Sequence, residues 1–230
     1  MLEHDYAEYA NQTHQWIGSD SEERFLKHCK DKEKWQYFET HGYLNKNVIQ
    51  YQFNEYGFRC APWDNIQEHS IALGCSHTQG VGIASRDTWS TQLSKLLNKS
   101  ILNLGIGGAS LDTCLRVLMF AVEKLRINTV YLLEPEAQRL EFAINNQWQV
   151  LTVNYNHDVF KNWVVEQKNV KMNQLKNRLA IQQVCDKNGL QLKTVMLDNI
   201  KKLDNIDWAR DFAHNGPEWN KSVAWAFADL

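Results

Sequence analysis

From residue 68 to residue 230, short apolar runs alternate with longer amphipathic ones, and this alternation restricts the possible folds more than any other feature of the chain. Residues 69–74, 100–104, 129–133 and 191–197 read as strands rich in β-forming side chains. Asp87 is placed to cap a helix carrying Leu93, Leu96 and Leu97 on one face. Ser110 is placed to cap another, in which Leu111, Leu115, Leu118, Val122 and Leu125 recur at helical spacing. A long polar helix is expected over about 158–187, stopped at Asn188-Gly189. Pro217 suits the first turn of a last helix with Trp219, Val223, Phe227 and Leu230 as its buried stripe. Residues 135–157 read as an irregular insertion. Strands that alternate with helices pair in parallel through right-handed crossovers, so the expected class is α/β with a parallel sheet.

Residues 1–66 differ from the remainder. They are polar and rich in aromatic and charged side chains, with helices expected near 5–17 and 20–37 and one short strand over 45–53. The division expected is an N-terminal extension over 1–66 packed on a core domain over 67–230. The whole chain is 43% hydrophobic and 23% charged, which suits a packed globular protein and not a disordered one. A net charge of −2, with scattered Lys and Arg, gives no electrostatic case for nucleic acid or an anionic membrane as partner. No apolar run approaches the ~20 residues that span a bilayer, and the acidic, polar start is unlike a secretory leader. A cytoplasmic location is the expectation. The five cysteines form no Cys-x-x-Cys pair and read as reduced, mostly buried thiols. Cys75 and His77 flank Ser76, but two ligand types alone make no metal site, and no metal is expected.

A parallel sheet binds ligands beyond the carboxyl ends of its strands. Ser76 falls there, in Gly74-Cys75-Ser76-His77-Thr78 just past the first core strand. A serine hydroxyl becomes a useful nucleophile only beside a base that is itself oriented by a third group. Asp211-Phe212-Ala213-His214 supplies both, with His214 as base and Asp211 as orienter. The attacked carbonyl also needs N–H donors where its oxygen becomes negative. The backbone N–H of Ser76 is one candidate. The loop Asn103-Leu104-Gly105-Ile106-Gly107-Gly108-Ala109-Ser110 can bring a second, because glycine permits close approach. This loop is neither a Walker loop nor Gly-x-Gly-x-x-Gly, which argues against a nucleotide. The Gly-x-Ser-x-Gly elbow of α/β-hydrolases is also absent, since Thr78 occupies its last position.

These segments resemble the SGNH (GDSL-like) hydrolase family over about residues 69–230. Gly74 to Thr78 matches its first block, with Cys75 where an aspartate is usual. Asn103 to Ser110 looks like its second block, with Gly108 aligned to the oxyanion glycine, and Asp211-x-x-His214 matches its last. The resemblance implies a three-layer α/β/α sandwich on a flavodoxin-like parallel sheet. It implies a serine esterase without cofactor that uses Ser76, His214 and Asp211, with an oxyanion hole formed by Ser76 and Gly108. The third block departs from the family pattern: an asparagine is usual after the third strand, and Glu134-Pro135-Glu136-Ala137-Gln138-Arg139 stands here instead. A carboxylate cannot donate a hydrogen bond. Gln138 or Arg139 is therefore the expected substitute donor, unless the hole has only two. Glu134, Glu136 and Glu141 read as solvated or Arg-paired, and Arg59, in Asn54-x-x-Gly57-x-Arg59, as an anchor for the extension. The expected substrate is a short acyl ester of a small polar molecule or a glycan, for example an O-acetyl group on a carbohydrate. The alternative is a glycan-binding or structural module that keeps the scaffold with little or no turnover.

Overall fold

The computed structural model describes residues 8–63, 66–145, 147–152, 162–163, 165–197, 200 and 207–230. The N-terminal part holds strand β1 (Thr13–His14), helices α1 (Glu22–His28) and α2 (Lys32–Thr40), and strand β2 (Tyr51–Gln52). Local capping explains why its elements are shorter than expected. Ser21 accepts from Arg24 N–H and Asp31 from the N–H groups of Glu33 and Lys34, so two N-caps cut the expected 20–37 helix in two. Asn45 accepts from Asn47 N–H and turns the chain into a 3-10 segment, Lys46–Val48, which leaves only two residues of the 45–53 strand. Within 5–17, the described residues form a 3-10 turn and β1, not a helix; residues 5–7 lie outside the described ones.

The core begins with β3 (His69–Leu73), a single helical turn α3 (Ser76–Gln79), α4 (Trp89–Leu97) and β4 (Ile101–Asn103). It continues through α5 (Leu111–Lys124), β5 (Ile127–Glu134), an antiparallel hairpin of β6 (Leu140–Ile144) and β7 (Gln147–Leu151), α6 (Gln167–Lys187), β8 (Gln191–Met196) and α7 (Pro217–Ala228). The sheet runs β4-β3-β5-β8, all parallel, which is the flavodoxin-like order. Alternate side chains face opposite ways along each strand. Ile71, Leu73, Val130 and Leu132 face α5 and α6, against Cys114, Val117, Leu118, Ile181 and Cys185. Ala72, Tyr131, Leu133 and Val195 face α4 and α7, against Trp89, Leu93, Val223, Ala224 and Phe227. These are the three layers of an α/β/α sandwich.

Four expectations are corrected. Thr88, not Asp87, caps α4 by accepting from Thr91 N–H, while Asp87 ends a preceding 3-10 turn. The buried stripe of α4 runs Trp89, Leu93 and Leu97 at a spacing of four, which turns Leu96 outward to 42% exposure. Leu230 lies beyond the end of α7 and is 63% exposed. The expected irregular insertion contains the β6–β7 hairpin, with Asn145 at φ +50° in its turn. The expected start of the long helix, 158–161, and residues 153–157 lie outside the described residues. Ser110 caps α5 in a full capping box with Thr113, and Pro217 opens α7, as expected. Among the described residues, no helix is long and apolar enough to cross a membrane.

The N-terminal part has its own aromatic core of Phe25, Phe38, Tyr43, Ile49, Tyr51 and Phe53, and Phe212 from the other end of the chain packs against it. A buried ion pair joins the same two regions: Arg210 donates from Nε to Asp20 Oδ1 at 2.9 Å and from Nη2 to Oδ2 at 2.6 Å. Tyr51 donates to Asp20 at 2.6 Å and accepts from Gly82 N–H at 2.8 Å. Arg59 is buried and donates to the carbonyls of Gln50, Gln79, Gly80 and Ile83, so it ties the first sixty residues to the end of the serine helix.

Candidate active site

Ser76 is placed by a turn that only glycine can make. Gly74 has φ +153°, and a Cβ on it would collide with Thr78 Oγ1 and lie 2.7 Å from the Leu133 carbonyl oxygen. Leaving β3 through this residue, the chain enters α3 with Ser76 as the first helical residue, at the carboxyl edge of the sheet and beside the switch in strand order between β3 and β5. The glycine-rich loop after β4 lies directly against this turn. Ile106 N–H donates to the Gly74 carbonyl at 3.1 Å, and Asn103 donates to the Thr78 carbonyl at 2.7 Å while accepting from Gly105 N–H at 3.0 Å. A Cβ at Gly105 would overlap the backbone of Thr78 and Gln79, so the approach of the two segments requires glycine there.

Asp211 and His214 lie on a tight loop between β8 and α7. Ala209 N–H donates to the His214 carbonyl at 3.0 Å and Arg210 N–H to the Gly82 carbonyl at 2.8 Å. Phe212 takes φ +50°, an uncommon conformation for a bulky residue, and its ring is held 5.3 Å from Phe38 and 5.2 Å from Tyr37. Asp207 accepts from the N–H groups of Glu218 and Trp219 and so fixes the end of the loop to the first turn of α7.

This loop brings the distant residues together. His214 Nε2 is 2.7 Å from Ser76 Oγ, and His214 Nδ1 is 2.7 Å from Asp211 Oδ2. The Asp211 carboxylate fixes the tautomer, with the proton on Nδ1 and Nε2 open to accept from the serine hydroxyl. Oδ1 of Asp211 accepts from Ala213 N–H at 3.0 Å and His214 N–H at 3.1 Å; Oδ2 also accepts from Ser19 Oγ at 2.6 Å. Burial alone would raise the Asp211 pKa. The hydrogen bond from His214, the His214 charge, and the bonds from Ser19 and Ala213 outweigh it and bring the carboxyl down to about 2. His77 lies with its ring 5.0 Å from that of His214 and 5.1 Å from Trp219. Desolvation first, then the His214 and Arg139 charges, push His77 down to about 3, so it is a neutral neighbour of His214.

Ser76 and His214 open on a cavity of about 320 Å³, shared with Gln79, Val81, Gly107 and Gly108 and closed on the far side by Tyr9, Ile17, Ser19 and Phe53 from the N-terminal part. Gly108, at φ +77°, and Ser76 have no acceptor for their N–H groups within the described protein. A more polar cavity of about 490 Å³ shares Gly107 and Gly108 and continues past Thr113, Arg116, Glu141, Gln147, Trp148 and Gln149. Its wall is the β6–β7 hairpin, where Arg116 donates twice to Glu141 at 2.8 Å and stacks 4.7 Å from the Trp148 ring.

Neither residue expected to replace the missing asparagine reaches Ser76. Gln138 lines a separate cavity with Glu134, Gln174 and Met196. Arg139 is committed to the Ala109 carbonyl at 3.2 Å and Glu136 at 3.0 Å, and it does not line the Ser76 cavity. The acidic cluster divides into ion pairs, each with its own arginine: Glu134 with Arg178, Glu136 with Arg139 and Glu141 with Arg116. Ser19 went unrecognised in the sequence because nothing local marks it; its part in the site exists only through a fold contact across 192 positions.

No protein-family model matches this chain. The search of curated proteins also gives no match. Among solved structures, the chain is similar to a member of the lipolytic protein G-D-S-L family from Veillonella parvula, at 12% identity and a TM-score of 0.39, over 71% of this chain and 98% of that one. It is also similar to the psychrotrophic esterase EstA from Pseudoalteromonas sp., solved as inhibited by monoethylphosphonate, at 16% identity and a TM-score of 0.37, over 72% of this chain and 97% of that one.

Proposed function

We propose that this chain is a serine hydrolase of SGNH type that cleaves a short acyl ester of a polar alcohol. The observation that carries the reading is the continuous hydrogen-bonded line from Ser76 Oγ through His214 to Asp211, with both links at 2.7 Å. Ser76 Oγ attacks the acyl carbon as His214 Nε2 takes its proton, and Asp211 stabilises the imidazolium that results. The carbonyl oxygen becomes negative facing the N–H groups of Ser76 and Gly108. Collapse of the tetrahedral adduct breaks the bond to the alcohol oxygen, which takes the proton from His214 and leaves the acyl group on Ser76. A water molecule then attacks the acyl carbon, gives a proton to His214, and releases the carboxylic acid with Ser76 restored. The sum is ester plus water to acid plus alcohol, and the sequence needs no cofactor.

Two cavities support the substrate class. The one at Ser76 is small and edged by Ile17, Phe53 and Val81, which suits a short acyl chain. The adjoining one presents amides, a carboxylate and the Trp148 ring, which suits a hydroxylated alcohol such as a saccharide. The test is labelling by a fluorophosphonate together with hydrolysis of 4-nitrophenyl acetate. Labelling confined to Ser76, and turnover lost in Ser76→Ala, are expected. An unlabelled protein whose rate equals that of Ser76→Ala overturns the reading and leaves a binding module on the same scaffold, motivated by Glu134 standing ion-paired where a donor is usual.

A further inference from the structure

We propose that the side-chain amide of Gln79 is the third oxyanion donor, supplied by the serine helix itself in place of the missing asparagine; this rests on the hydrolase reading above. Elimination removes the other polar groups near the expected position. Glu134 accepts from Arg178 at 2.7 and 2.8 Å and from Gln174 at 3.1 Å, and as a carboxylate it has nothing to donate. Asn103 spends its amide on the Thr78 carbonyl and Gly105 N–H. Gln138 and Arg139 are engaged elsewhere or line a different cavity.

Gln79 lies three residues after Ser76 on α3, so both side chains fall on one face of that turn. It shares the cavity wall with Ser76, Gly107, Gly108 and His214. The residue is only 6% exposed, yet its amide makes no hydrogen bond to any described part of the protein. The amide is not sealed in the core but opens on the cavity that Ser76 and Gly108 share, so its hydrogen-bonding capacity is free for a group bound there. Its backbone is held firmly: Gln79 N–H donates to the Cys75 carbonyl at 2.9 Å, and the Gln79 carbonyl accepts from Arg59 at 3.1 Å. The Oε1 end lies against Gly107, where an added Cβ would stand 3.0 Å away, which leaves the Nε2 end as the donor. Two backbone N–H groups and one side-chain amide thus converge on one cavity, without reorganisation as the adduct forms.

The experiment compares the wild type, Gln79→Leu and Gln79→Glu on 4-nitrophenyl acetate and on an aryl trifluoromethyl ketone, whose hemiketal adduct with Ser76 carries the same oxyanion. Both variants are expected to lose about 10²–10³ in kcat with KM little changed, to bind the ketone more weakly by a similar factor, and to melt at the wild-type temperature. Gln79→Glu is nearly isosteric and keeps the comparison available if the leucine variant folds poorly. Turnover and ketone affinity within threefold of wild type in both variants would overturn the assignment while leaving a Ser76-dependent hydrolase standing. Parallel loss of melting temperature, KM and kcat would make Gln79 a structural residue and also overturn it. A wild type without Ser76-dependent turnover removes the hydrolase reading and this assignment with it.

Discussion

The Ser19 hydroxyl stands 2.6 Å from Oδ2 of Asp211, the same oxygen that receives the His214 Nδ1 proton donor at 2.7 Å. A residue from the first twenty positions therefore joins a hydrogen-bonded line whose other members lie at positions 76, 211 and 214. The carboxylate holds four hydrogen bonds in all, two from side chains and two from backbone N–H groups.

Replacing Asp211 by asparagine keeps the shape of the group and changes its chemistry. An amide can hold the imidazole in the wrong tautomer and cannot stabilise its cation. Asp211→Asn is expected to lower kcat on an aryl acetate by about 10⁴ while leaving the far-ultraviolet circular dichroism unchanged. Steady-state kinetics checks this, and a loss under tenfold would count against Asp211 as the orienting group.

Ser19→Ala removes one donor to a buried carboxylate and leaves three. Hydrogen bonds to charged groups contribute about 1.5–3 kcal/mol, so the unfolding free energy in urea should fall by roughly that amount. Turnover should fall by about tenfold, far less than for Asp211→Asn. Unchanged stability and turnover would show that the contact is dispensable.

Arg210 and Asp20 are both enclosed, at 0% and 1% exposure. Truncating one partner of such a pair strands a buried charge, at a cost of about 3–5 kcal/mol. Arg210→Met is expected to lose that much in denaturant titrations and to lose activity with it, since Arg210 adjoins Asp211. The double variant Arg210→Met with Asp20→Asn should recover part of the stability, because no unpaired charge remains.

Acid should destabilise the fold in two separable windows. The His77 pKa is lowered from 6.5 to about 3, so below 6.5 the unfolded chain takes up a proton that the folded one refuses. Stability contributed here is lost as pH falls from about 6.5 toward 3. The Asp211 carboxyl is lowered from 3.8 to about 2, so its contribution is complete above 3.8 and is lost as pH falls toward 2. His77→Phe, which keeps an aromatic ring against Trp219, should flatten the upper window, and Asp211→Asn chiefly the lower one, since the Asp211 charge also acts weakly on His77. Urea titrations at stepped pH check both.

The parallel sheet, its flanking helices and the meeting of Ser76 with His214 were legible in the sequence because each leaves a local signature. β3 carries the apolar run Ile71-Ala72-Leu73, Ser110 opens a capping box, and Asp211-x-x-His214 is a short motif. The hairpin of β6 and β7 was missed although Asn145-Asn146 sits between two alternating segments, because the preceding Glu134-Pro135-Glu136 drew the whole stretch into one loop. Thr88 displaced Asp87 as a cap because both are competent caps one residue apart, and the packing of Trp89 chose between them. Ser19, Gln79 and the Arg210–Asp20 pair have no local signature. Each acquires its role only when segments far apart in the chain, or a loop and a helix, are packed together.

Phe212 is a peg driven from the loop of Asp211 and His214 into the aromatic cluster of the first sixty residues. During synthesis, that cluster leaves the ribosome well before this ring does. The hydrogen-bonded line from Ser76 through His214 to Asp211 can therefore form only after both segments have emerged, and no nascent segment that stops short of His214 holds it.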